Sequence, residues 1–182
     1  MAVDFRRSTE FSLAKLASVF TASYHDYFIP LAVDKNQLRY MVEVFDLDLS
    51  RSLVAVEGKR PVGLANLGLR GERTWLGGVG VVPDRRGSGV GESLTRLLLD
   101  QAREAGAREM VLEVIVDNAP AIALYEKVGF ARTRELEVLT LAVETEHSHA
   151  RETHSPASDI TRTRPTPPQI VHSLIVLSSL AQ

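Results

Sequence analysis

The chain has 182 residues, 45% of them hydrophobic and 24% charged, as expected of a globular protein that buries a substantial core in one domain. A formal net charge of -2 gives no overall bias toward nucleic acid or an anionic membrane surface. The absence of cysteine excludes disulfides, thiolate–zinc sites and a cysteine nucleophile, and it fits the cytoplasm. The start, MAVDFRRSTEF, lacks the long apolar stretch of a signal peptide, and the late apolar run Ile170 to Leu180 is too short to span a bilayer.

In chain order, Ala2 to Arg7 alternates apolar and polar residues and predicts a short strand. From Glu10 to Phe28, Leu13, Ala17, Phe20, Tyr24 and Tyr27 recur at helical spacing, with Pro30 just beyond. A second helix is expected to begin at Asp34, with Gln37 completing a capping box, and to run through Leu38, Met41, Val42 and Phe45. A three-strand meander follows at Ser52 to Val56, Val62 to Leu69 and Thr74 to Val82. Paired glycines inside its last strand, Gly77-Gly78, predict a bulge or a close backbone approach. A helix of about four turns is expected from Glu92 to Glu104, with Leu94, Leu97, Leu98 and Ala102 as its apolar stripe and Gly106 past its end. Glu109 to Val116 reads as a strand. Asn118 caps a short helix that tolerates Pro120 in its first turn and stops before Gly129. Arg132 to Val143 is the last long strand of this run.

Beyond it the character changes. Residues 144–169 are poor in apolar residues and rich in Ser, Thr, Arg and Pro, which predicts a disordered linker or tail. His147, His149 and His154 lie there in solvated surroundings, so no metal site is read from them. Residues 170–182 turn apolar again. They either return to the sheet as a last strand or begin a second domain. The layout expected is therefore a folded domain over 1–143, a linker over 144–169 and an apolar segment over 170–182.

The stretch VVPDRRGSGVGE, Val81 to Glu92, joins a predicted strand to a predicted helix. Glycines let a ligand approach the backbone without Cβ clashes, and N–H groups at a helix start favour an anion. Arg85 and Arg86 add positive charge. The loop reads either as a pyrophosphate seat or as a plain glycine turn. A Walker loop needs Lys-Ser/Thr after its last glycine, where Glu92-Ser93 stands, and a dinucleotide loop needs a different glycine spacing early in a βαβ unit.

Arg86-Gly87-Ser88-Gly89-Val90-Gly91 resembles the Gln/Arg-x-x-Gly-x-Gly/Ala signature of the GNAT superfamily of acyl-CoA-dependent N-acyltransferases. Leu112 to Phe130, LEVIVDNAPAIALYEKVGF, is similar to the family's second motif, and the order of elements over residues 2–141 agrees with it. The resemblance implies an α/β (α+β) fold with a central mixed, mostly antiparallel sheet of six to seven strands and about four helices. It implies acetyl-CoA as cosubstrate, with no metal, and acetyl transfer to a primary amine of a small molecule or a peptide. No nucleic-acid or membrane partner is implied, and a homodimer is compatible with it. By position, backbone groups of Val79, Gly80 and Val81 would hold the acetyl carbonyl and pantetheine arm. The Arg86, Gly87, Ser88, Gly89, Val90, Gly91 and Glu92 run would hold the pyrophosphate, and Asn118 would contact the pantetheine side as well as cap its helix.

Tyr125 matches the tyrosine that acts as general acid in this family, although a tyrosine packed against the sheet is the plainer role. Glu113, twelve residues before Tyr125, is placed as in the ribosomal-protein alanine N-acetyltransferase branch, where a glutamate is the base; a solvated strand carboxylate is the alternative. Glu72 and His25 are weaker candidates that would act through water. Tyr24, His25 and Tyr27 fall where the acceptor site is usually built. The family normally ends with two strands after the tyrosine helix, whereas one follows directly here, so the chain also resembles the front half of a two-domain member. Two function classes stay open: an enzyme, and an acyl-CoA-binding module that has lost catalysis and serves as a sensor or partner domain.

Overall fold

The structure is a computed structural model, which describes residues 2–140 and 169–180. The expected linker, 144–168, lies outside the described residues. Gln169, counted above with the linker, is instead the first residue of a strand.

A seven-stranded sheet runs in the order β1-β2-β3-β4-β5-β7-β6. Its strands are β1 (Val3–Arg7), β2 (Leu53–Glu57), β3 (Arg60–Arg70), β4 (Arg73–Val81), β5 (Glu109–Ile115), β6 (Ala131–Thr140) and β7 (Gln169–Leu180). Four helices cover it: α1 (Leu13–Ser23), α2 (Lys35–Val44), α3 (Val90–Glu104) and α4 (Ala119–Lys127). Every strand pairing is antiparallel except β4 with β5. The α/β class and the mostly antiparallel sheet are as expected from the sequence. The late apolar segment is a strand of this sheet, lying between β5 and β6 and antiparallel to both.

The middle of the sheet, at β2 and β3, is buried on both faces, whereas the β6 edge is exposed. On one side, Leu94 and Leu98 of α3 and Ile122 of α4 pack with Phe130 and with Val62, Leu67, Met110, Leu112 and Leu177 of the strands. On the other side, Leu16 and Ala17 of α1 and Leu38 of α2 pack on Val54 and Val56, and Val19 and Phe20 of α1 pack on Leu64. Leu94, Leu98, Val62 and Leu67 are fully buried, so truncating any one of these leucines to Ala should cost about 2–5 kcal/mol.

Local signals explain most helix boundaries. Asp34 Oδ1 accepts from the N–H groups of Asn36 and Gln37 at 2.7 and 2.8 Å, and Gln37 returns a bond to the Asp34 N–H, completing the capping box. Ser12 caps α1 by accepting from Lys15 N at 3.2 Å. α1 stops at Ser23, five residues short of the periodicity that ran to Phe28. Tyr24 is its C-cap, and Asp26 takes φ 59°, a left-handed backbone that a helix cannot continue through.

Two irregularities shape the middle of the sheet. Ala65 pairs with Val79 but Leu67 pairs with Leu76, so Asn66 alone faces both Gly77 and Gly78. This is the predicted bulge, with Gly78 at φ 126°. The second is a parting of strands. β4 and β5 pair only from Arg73–Trp75 against Glu109–Val111, while β5 goes on pairing with β7 through Ile115. The C-terminal half of β4 therefore diverges from β5 and leaves an opening in the sheet.

Candidate active site

The opening leads into a cleft of ≈ 650 Å³ lined by the end of α1, the end of β4, the glycine loop and α4. Val82 N donates to Val62 O at 2.9 Å. Strand alternation then turns the N–H and C=O of Val81 and Val79 away from β3, toward the opening. Gly80 must be small: a Cβ there would stand 2.7 Å from Ser23 Cβ and 3.0 Å from the Tyr24 ring.

After β4 a single turn at Pro83–Arg85 leads into the glycine loop, and Gly89 caps α3 with φ 87°. The first helical bond runs from Ser93 N to Gly89 O at 3.0 Å, so the N–H groups of Val90, Gly91 and Glu92 have no acceptor within the helix. Those of Gly87, Ser88 and Gly89 likewise have no hydrogen-bond acceptor among the described residues. Space is open on the Cβ side of both Gly87 and Gly89, where φ is 72° and 87°. A run of six N–H groups with room above it, at the positive end of a 15-residue helix, fits a bound pyrophosphate. Ser88 itself turns back, its Oγ donating to Arg85 O at 2.6 Å.

The Glu92 side chain is a carboxylate at this anion seat. It is tied down by Lys127 Nζ at 2.6 Å and by the Arg96 guanidinium at 3.0 Å, and those bonds hold its pKa below the usual carboxylate range. Lys127, at the end of α4, lines the cleft and was not singled out in the sequence; only its position in the last turn before Gly129 could have pointed to it.

Three tyrosines meet deeper in the cleft. Tyr125 is 7% exposed and meets Phe130 edge-on at 5.8 Å. Tyr24 stacks on Phe20 at 4.5 Å, and Tyr27 packs edge-on against Tyr24 at 5.2 Å. Burial pushes the Tyr125 phenol strongly upward, and the nearby Tyr27 adds to it. Tyr24 is half-buried as a residue, but its hydroxyl end lies deep, and burial followed by Tyr125 pushes its phenol upward too. Burial also raises Tyr27, against a hydrogen bond with Asn118 that lowers it. Asn118 caps α4 as expected, its Oδ1 accepting from Ala121 N at 3.3 Å. Ser23 Oγ is buried at the cleft wall with no hydrogen-bond partner among the described residues, a hydroxyl that a ligand or a water would complete.

The cleft thus brings together Tyr24, Tyr27, Val79, Gly80, Val81, Arg86, Gly87, Gly89, Gly91, Glu92, Asn118 and Tyr125. Ser88, Val90, His25 and Glu113 do not line it. Val90 packs into the core instead. His25 is exposed, with Nδ1 2.8 Å from Asp26 Oδ2. Glu113 is exposed on β5, on the face opposite Leu112 and Val114. It stands two residues past the last β4–β5 pair, level with the Gly77-Gly78 bulge across the opening. Glu72 belongs to the turn before β4 and pairs with Arg108 at 3.1 Å. Six residues of strand, about 20 Å, separate it from Val79.

The Acetyltransferase (GNAT) family model matches residues 15–130, more than half of the chain. The chain belongs to the GNAT acetyltransferase family. Among curated relatives, N-alpha-acetyltransferase 30 from Schizosaccharomyces pombe is 38% identical over 90 residues, 50% of this chain and 57% of that protein. The match therefore spans little more than half the relative's length. Among solved structures, yncA of Salmonella typhimurium with its cofactor acetyl-CoA has a TM-score of 0.65 at 21% identity, covering 100% of this chain and 95% of the other. The ribosomal-protein-S18-alanine N-acetyltransferase from Escherichia coli has a TM-score of 0.64 at 18% identity, covering 100% and 97%. At these identities the structures share the fold. Among the described residues of this GNAT chain, no helix is long and apolar enough to cross a membrane, and no three His, Asp or Glu side chains are grouped to hold a metal.

Proposed function

We propose that this GNAT enzyme is an N-acetyltransferase that moves an acetyl group from acetyl-CoA to a primary amine by direct attack while both reactants are bound. The observation that carries the reading is the row of six unpartnered N–H groups from Gly87 to Glu92, in a loop whose Gly87, Gly89, Gly91 and Glu92 line the same cleft as Tyr125 and the end of β4 at Val79–Val81. Acetyl-CoA supplies an activated acetyl group as a thioester. The loop amides hold its pyrophosphate, and the outward N–H groups of Val79 and Val81 face the carbonyl as hydrogen-bond donors. Tyr125, kept protonated by burial, holds a proton for the departing sulfur. The acceptor amine must lose a proton before it attacks. Glu113 takes it through a water, from its exposed position beside the parted strands. Tyr24 and Tyr27 form the aromatic wall on the acceptor side, suited to a cationic amine. The acceptor is a small-molecule or peptide amine, and no cysteine is available for an acyl-enzyme.

Ligand-induced thermal stabilisation tests the cofactor site, and CoA release with a panel of peptides, polyamines and aminoglycosides tests transfer. CoA at 100 times its Kd should stabilise the parent by about 2.7 kcal/mol. Gly89→Asp, which puts a carboxylate into the phosphate seat, should abolish this stabilisation. Equal stabilisation of parent and variant would refute the site.

A further inference from the structure

Arg86 opens the glycine motif and lines the cleft, where a phosphate contact is the simple expectation. Its guanidinium is committed elsewhere. Nε donates to Val81 O at 3.2 Å, and Nη2 donates to His25 O at 2.5 Å and to Ser23 O at 3.3 Å. Three main-chain carbonyls from two elements converge on one side chain. Ser23 is the last residue of α1, so its carbonyl has no donor within the helix. The His25 carbonyl immediately precedes Asp26, whose left-handed φ of 59° turns the chain. Arg86 thus clamps the end of α1 and the turn after it to the end of β4.

That turn carries Tyr24 and Tyr27, the aromatic wall of the cleft. On the other side, Arg86 adjoins Gly87, the first residue of the amide row. Glycine at 87 and 89 gives the loop a wider range of backbone conformations than other residues would, and an anion held by its amides would narrow that range. We infer that Arg86 is a positioning residue that couples occupancy of the glycine loop to the order of residues 23–28, so that the acceptor wall firms when the cofactor binds. The inference rests on reading Gly87–Gly91 as the cofactor loop. Reaching for a phosphate instead would cost Arg86 its carbonyl bonds and leave the α1 end open. Coupling of this kind is reciprocal, so an acceptor that orders the wall tightens cofactor binding by the same factor.

The test uses the full chain with CoA alone and needs no known acceptor. The Tyr27 N–H, bonded to Tyr24 O at 3.1 Å, is a reporter of the turn. CoA should slow its hydrogen exchange by about fivefold or more in the parent. In Arg86→Ala and in Arg86→Lys, CoA should bind within roughly threefold of the parent affinity, yet the slowing should disappear in both, because neither side chain spans the three carbonyls. Absence of slowing in the parent, or slowing that persists in either variant, overturns the proposal. So does a loss of CoA affinity of ~tenfold in Arg86→Ala that Lys restores, which would make Arg86 a phosphate ligand. Should the Ala variant fail to fold, the Lys variant decides alone: slowing retained, or CoA affinity reduced ~tenfold, overturns the proposal. Gly89→Asp separates the two levels: if it binds CoA like the parent, the loop reading itself fails and the coupling falls with it.

Discussion

The Tyr24 hydroxyl lies 2.5 Å from the point that a Cβ on Gly78 would occupy. The bulge in β4 and the tyrosine at the end of α1 therefore specify one another. Gly78→Ala should cost about 1–3 kcal/mol, from this clash and from a backbone at φ 126° that L side chains rarely adopt. In a Tyr24→Phe background the next ring atom is 3.7 Å away, an ordinary contact, so part of the cost should be recovered. Gly80→Ala meets Ser23 Cβ at 2.7 Å instead and should be rescued little. Urea unfolding of the two double-mutant cycles checks this: a coupling of about 0.5 kcal/mol or more is expected for Gly78 and not for Gly80.

Burial of the cleft phenols has a consequence at high pH. Tyr24, Tyr27 and Tyr125 are all raised above the value of a free phenol, which is about 10. A group raised in the folded state gives stability that is fully present below the unfolded pKa and is lost as pH climbs toward the folded one. Stability should therefore hold up to about pH 10 and then fall, by up to about 1.4 kcal/mol per pH unit for each such group. Urea midpoints at pH 9 and pH 11 should differ, and Tyr125→Phe should shrink the difference. A difference of equal size in that variant would remove Tyr125 from the account.

The parts of this fold legible in the sequence were those set by neighbours along the chain. Asp34 and Gln37 announce their helix because a capping box is local, and Gly77-Gly78 announce the bulge because a glycine pair has few other uses inside a strand. The end of α1 was misread because Tyr24 and Tyr27 keep helical spacing while serving the cleft from a turn that Asp26 breaks. Apolar periodicity reports burial, and burial here continues after the helix stops. The role of Arg86 was hidden for another reason. Its partners, Ser23 and His25, are about sixty residues away, and a basic residue beside a glycine loop suggests phosphate by itself. The place of Gln169–Leu180 between β5 and β6 was hidden likewise, since an apolar run fixes a buried strand but not its neighbours.

Glu113 stands in water at the level of the bulge, and its proposed work is to accept the amine proton through a solvent molecule. Glu113→Gln keeps size and hydrogen bonding but removes the base. With an accepted amine, kcat/KM at neutral pH should fall ~10²-fold or more. The loss should shrink as pH rises toward the amine's own pKa, because free amine then forms without help. A loss that stays constant across pH would assign Glu113 to binding instead of proton transfer.

Tyr125 is the residue whose surroundings fit its proposed chemistry most closely. It is 7% exposed, it lines the cleft beside the loop that would hold the cofactor, and burial raises its phenol above the ordinary value of about 10, so that it is protonated at neutral pH. A buried neutral phenol makes a poor base and a well-placed donor, which is what a departing thiolate needs. Tyr125→Phe removes one oxygen and leaves the ring against Phe130, so folding should change little. kcat should fall by ~10²–10⁴-fold while CoA affinity stays nearly as in the parent, since in the proposed site the loop amides carry binding. The KM for acetyl-CoA, read alongside a direct binding titration, separates the two effects. A variant that loses CoA affinity in proportion to its rate would make Tyr125 a packing residue of the pantetheine channel, and full turnover would leave the sulfur's proton to come from water.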